Sequence, residues 1–146
     1  MDQPVVGPGR REAVQLPCCV FQRALLVRCA VCELARARQR RDGEVIDCAS
    51  PVAWAACKEL SGLLREKSAF ALKQSRPARS LSSAAAMKVQ CGGLKGFQAV
   101  LDPAAPAPDV HRLVRLAVER HGELAALPFS QIVRGIAAWR GRRGSS

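Results

Sequence analysis

A chain of 146 residues, 49% apolar, is long enough for one hydrophobic core and too apolar to be disordered. Aromatics make up only 4% and tyrosine is absent, so the core must come from Ala, Leu and Val, which suits close-packed helices better than sheets. The net charge of +11 attracts polyanions but names no partner, because the basic residues are spread through every segment.

Residues 1–17 hold Pro4, Gly7, Pro8, Gly9 and Pro17 and read as a flexible N-terminal arm. Met1-Asp2-Gln3-Pro4 has neither the basic nor the apolar part of a secretory leader. The most apolar run, 16–35, is interrupted by Arg23, Arg28 and Glu33, so no membrane span is expected. A cytoplasmic setting follows, where thiols stay reduced, and the odd count of seven cysteines suits a disulfide framework poorly.

Residues 20–38 admit two readings. Phe21, Leu25, Cys29, Cys32 and Arg36 share one face of a helix. Alternatively, Cys29 to Cys32 forms a knuckle, and 36–41 and 44–47 are strands of a hairpin turning at Asp42-Gly43. A second helix is better marked: Ser50 is a cap, Pro51 suits the first position, and Ala53, Cys57, Leu60 and Leu64 recur on one side. Residues 74–83 are polar, contain Pro77, and read as a loop. Ser82 or Ser83 then caps a helix carrying Met87, Cys91, Leu94, Gln98 and Leu101, with Phe97 beside them. Gly92, Gly93 and Gly96 either weaken this helix or mark a close backbone approach. A proline-rich connector, 102–109, leads to a helix capped by Asp109 and stopped at Gly122. Ser130 starts the last helix, with Ile132, Val133, Ile136 and Trp139 inward, and residues 141–146 form a basic C-terminal tail.

The cysteines carry the most specific chemistry. Cys29-x-x-Cys32 is a local pair, and Cys48, Cys57 and Cys91 are dispersed. Structural zinc usually takes two local pairs, whereas a [4Fe–4S] cluster tolerates four Cys ligands drawn from separate segments. The dispersed layout therefore favours an iron–sulfur cluster over zinc, held by Cys29, Cys32, Cys48 and either Cys57 or Cys91. Cys48 precedes a helix N-terminus, which stabilises a thiolate. Gly92 and Gly93 would let backbone N–H groups approach a cluster sulfur. Against this, Cys57 and Cys91 sit within apolar faces, where a free Cys is a small hydrophobe. Cys18 and Cys19 are neighbours, point in different directions, and are not expected to ligate one ion.

Arg36, Arg38, Arg40 and Arg41 form the densest basic run, with Arg140, Arg142 and Arg143 at the end. Non-specific charge attraction to nucleic acid is open to them, though Phe97 and Trp139 look committed to helix faces. Glu33 is a candidate second layer around Cys32, His111 reads as solvated, and His121 as a helix-end charge. No nucleophile triad or paired carboxylate identifies an enzyme. The expected fold is a mainly α, single-domain bundle of four to five short helices over residues 18–140, with or without one Cys-bearing hairpin. The expected function is a cysteine-ligated metal protein, iron–sulfur first, in electron transfer, cluster assembly or sensing, docking an acidic partner protein. The alternatives are a zinc-stabilised nucleic-acid-binding or regulatory module and a metal-free helical adaptor.

Overall fold

The computed structural model describes residues 15–69 and 81–141. Most of the proposed N-terminal arm, residues 74–80 of the predicted loop, and 142–146 of the basic tail lie outside these. The described residues are mainly α with one small antiparallel hairpin, as composition and periodicity suggest.

The first helix, α1 (Gln22–Leu26), is short. It stops because Arg28 takes a left-handed conformation, φ 67°, while Arg28 N–H bonds the Leu25 carbonyl at 3.2 Å. Past this corner the chain runs extended. Val31 N–H bonds Pro108 O at 2.8 Å, and Val110 N–H returns to Val31 O at 2.9 Å. The hairpin reading therefore holds over the long helix. Strands β1 (Ala35–Arg40) and β2 (Gly43–Cys48) pair from Ala35 opposite Cys48 to Arg40 opposite Gly43. Gly43, at φ 133°, supplies a backbone shape that residues with a Cβ rarely adopt. Arg and Ala form strands weakly, so β1 depends on its partner. It stays almost wholly exposed, while β2 buries Ile46, Asp47 and Cys48. On the other edge of β2, Cys19 N–H bonds Ile46 O and Cys48 N–H bonds Pro17 O, both at 2.8 Å. Pro17 is thus built into the fold rather than belonging to a free arm.

Helix α2 (Pro51–Ser68) begins as expected: Ser50 Oγ accepts Ala53 N–H at 3.1 Å and Pro51 stands first. It buries Leu60 and Leu64. Helix α3 (Ser83–Met87), capped by Ser82, runs through a π-helical turn (Lys88–Gly92) into α4 (Gly93–Leu101). Gln90 in that turn fastens α1: its Oε1 accepts Ala24 N–H at 3.1 Å and its Nε2 donates to Val20 O at 3.3 Å. Asp109 caps α5 (Val110–His121), and Gly122, at φ 84°, ends it. A 3-10 turn (Leu124–Ala126) leads into α6 (Phe129–Ala138), one residue ahead of the expected start.

The glycines of α4 mark a close approach. A Cβ on Gly96 would lie 2.1 Å from the Ile132 carbonyl oxygen of α6, and one on Gly135 would lie 2.5 Å from Gly92 O. The helical cost of these glycines is offset by the contact they permit. Around this crossing Phe21, Leu60, Leu94, Phe97, Ile132 and Ile136 form a fully buried core. Among the described residues, no helix is long and apolar enough to cross a membrane.

Candidate metal centre

Four cysteines from four separate segments, Cys19, Cys32, Cys48 and Cys57, line one small apolar cavity of about 20 Å³. Each arrives there for a local reason. Cys18 and Cys19 lie on an extended stretch beside β2, where side chains alternate. Cys18 is consequently exposed, and Cys19 faces inward. Cys32 ends the stretch tied to Val110 and is braced by Ala35 N–H on its carbonyl at 3.2 Å. Cys48 closes β2, its thiol donating to Ser50 O at 3.3 Å. Cys57 lies one turn beyond Ala53 and Trp54 on α2, on the side that faces the hairpin base.

Apolar side chains, among them Leu34 and Val114, fill the rest of the wall. Trp54 is clamped there by its indole N–H, which donates to Cys18 O at 2.9 Å. His111, expected to be solvated, instead lines the cavity, and its Nδ1 stands 2.7 Å from Glu33 Oε2. Glu33 and His111 thus lock together beside Cys32.

Electrostatics follow from this burial. Desolvation pushes the Cys57 thiol up to about 12, with Cys19, Cys32 and Cys48 adding to the rise. Desolvation likewise pushes Cys19 up to about 11, against a backbone hydrogen bond from Phe21. Cys32 is raised by desolvation too, opposed by backbone hydrogen bonds from Leu34 and His111. Cys19 and Cys32 share a local design: each sulfur meets the N–H of the residue two positions on. Such N–H groups stabilise negative sulfur, as in the outer layer of many metal sites. The raised thiols of Cys19, Cys32 and Cys57 are protonated at neutral pH, and a cation placed among them would favour their thiolates.

The fit to an inorganic group can be judged from the room available. Among the described residues, no three His, Cys, Asp or Glu groups stand close enough to hold one metal ion. A cavity that admits a water-sized sphere keeps its lining atoms farther from the centre than the ~2.3 Å of a zinc–thiolate bond. Four cysteines are the donor set a [4Fe–4S] cluster takes, but a cavity of about 20 Å³ has room for about one water, so its walls would have to open for a cluster to enter.

Three of the five cysteines proposed from sequence, Cys32, Cys48 and Cys57, meet here. Cys29 does not: the Arg28 corner sends it to a different hollow, beside Lys95 and Trp139. Cys91 is fully buried, its thiol 3.7 Å from Met87 Sδ. Gly92 and Gly93 also lie away from the cavity, against α6 and Leu64. Cys19 was the ligand candidate missed. Strand alternation could have found it, since one of two adjacent cysteines on an edge must face in.

No family model matches this chain, and no curated protein or solved structure is detectably similar to it.

Proposed function

We propose that this protein is a small iron–sulfur protein holding a [4Fe–4S] cluster on Cys19, Cys32, Cys48 and Cys57. The single observation that carries the reading is the gathering of these four thiols at one apolar cavity. When bound, such a cluster supplies one-electron redox chemistry and a covalent tie between chain segments. The chain supplies four thiolates, N–H groups that temper their charge, and a wall that excludes water. A role in electron transfer, cluster assembly or sensing fits this division of labour. A reducing, cytoplasmic setting suits seven cysteines of which none forms a disulfide. Strand β1 begins opposite Cys48 and carries exposed Arg36 and Arg40, a docking surface suited to an acidic redox partner.

Anaerobic purification with iron and acid-labile sulfide analysis tests the proposal. The expected product is brown and carries about four irons and four sulfides per chain. Cys19→Ser, Cys32→Ser, Cys48→Ser and Cys57→Ser each lower that content, whereas Cys29→Ser and Cys91→Ser keep it. A colourless protein holding one zinc on the same cysteines would keep the ligands and replace the cluster. Metal-free protein after anaerobic handling and reconstitution would end both readings.

A further inference from the structure

A second recess lies where α4 and α6 cross. Because their backbones touch at Gly96 and Gly135, a groove of about 460 Å³ opens with a floor of small residues. Lys95, Arg134, Arg140 and Trp139 stand around it. An adjoining hollow of about 330 Å³ shares Lys95 and Trp139 and adds Arg28. The two hollows, which have these side chains in common, are together termed the trough.

Among the described residues, no Asp or Glu lines either part of this trough. None occurs between Ser80 and Leu101, or from Leu124 to the end of the chain. The ion pairs among the described residues, Arg38–Asp47, His111–Glu33 and Arg112–Asp102, involve none of these cations. Arg140 makes one weak bond, to Ala137 O at 3.3 Å. Trp139 is partly exposed, and the described cation–ring contacts are on Trp54 and Phe129 instead. An aromatic ring beside unpaired cations, in a trough without carboxylates, has the chemistry that holds unpaired bases and phosphodiesters.

We propose that this trough binds single-stranded nucleic acid, with phosphates along Arg28, Lys95 and Arg134 and a base against Trp139. The shared Trp139 and Lys95 favour a strand that continues through both hollows over an isolated nucleotide. Duplex fits less well, since a paired base cannot turn onto the ring. The site uses none of the four cavity cysteines, so its failure and that of the cluster are separate results.

The test is fluorescence anisotropy of a labelled oligothymidine of about 20 nucleotides, titrated with the full chain as purified at about 50 and 200 mM salt. Expected is binding that weakens steeply with salt. Lys95→Gln with Arg134→Gln weakens it about tenfold or more and flattens the salt dependence. Arg28→Gly, which relieves a left-handed backbone, weakens it without unfolding the chain. Trp139→Phe retains binding where Trp139→Leu loses it, with circular dichroism confirming both folds. Arg36→Gln with Arg40→Gln, on the hairpin, changes affinity less than about twofold. The proposal is overturned if no binding is seen at low salt, or if the hairpin pair matters as much as the trough pair. It also fails if duplex binds more tightly, or if AMP competes as well as the oligomer.

Discussion

Cys57 illustrates how an individual side chain here takes its chemistry from its surroundings. Its thiol is pushed up to about 12 by burial, so in the metal-free protein its reactive thiolate is scarce at neutral pH. Alkylation of Cys57 in native, metal-free protein should be slow and rise about tenfold per pH unit well into the alkaline range. Exposed Cys18 should be labelled first, and peptide mass spectrometry reads both. Asp47 shows the opposite shift. The Arg38 guanidinium, bonded to it at 2.8 and 3.2 Å, holds its carboxyl below the usual range. Folding therefore favours the ionised form. The stability it adds is complete above the ordinary carboxylate value and is lost as pH falls through the native one. Urea midpoints of the parent should drop more on acidification than those of Asp47→Asn. Arg28 is the other residue whose setting overrides its type. Its left-handed backbone costs about 1 kcal/mol, and glycine would remove that cost while adding entropy to the unfolded chain. Arg28→Gly should thus unfold within about 1 kcal/mol of the parent.

Among the elements, glycines separate local propensity from helix contact. Gly62 in α2 has open space where a Cβ would be. Gly62→Ala should stabilise the protein by about 1 kcal/mol, because only the helix cost of glycine is removed. Gly96→Ala makes the same local change, yet its methyl would press on the Ile132 carbonyl at 2.1 Å. It should destabilise by about 2–3 kcal/mol as α4 and α6 are forced apart. Chemical denaturation of the two variants checks the reversal of sign. The caps behave more simply: Ser50→Ala removes the acceptor for Ala53 N–H and should cost about 1 kcal/mol. These starts were legible because a cap, a proline or a glycine acts within one turn of the chain. The long helix through Cys29 and Cys32 was misleading for the same reason. Its periodicity was sound locally, but hydrogen bonds to Val110 and Pro108, far along the chain, keep residue 31 extended.

For the molecule as a whole, the cavity joins the hairpin, the segment beside it, α2 and α5. A ligand bound there by four thiolates would add a further tie between these elements. If the proposed cluster binds, loading it should raise the thermal midpoint, and removing it with a chelator under reducing conditions should lower it by several degrees. Cys29→Ser should show the same loading shift as the parent, while Cys57→Ser should show none.

The amino-acid order alone determined the mainly α class, the Ser50 and Asp109 caps and the basic charge, and offered the hairpin turn near Gly43 as one of two readings. Each of these depends on neighbours within a few positions or on composition. Only the tertiary structure decided that Cys19 joins Cys32, Cys48 and Cys57, that Cys29 and Cys91 stand apart, and that Arg28 meets Lys95 and Trp139. Such meetings depend on the direction the chain takes after a single corner at Arg28 and on which edge of β2 is filled. Both are fixed by hydrogen bonds between distant segments, which no local pattern encodes.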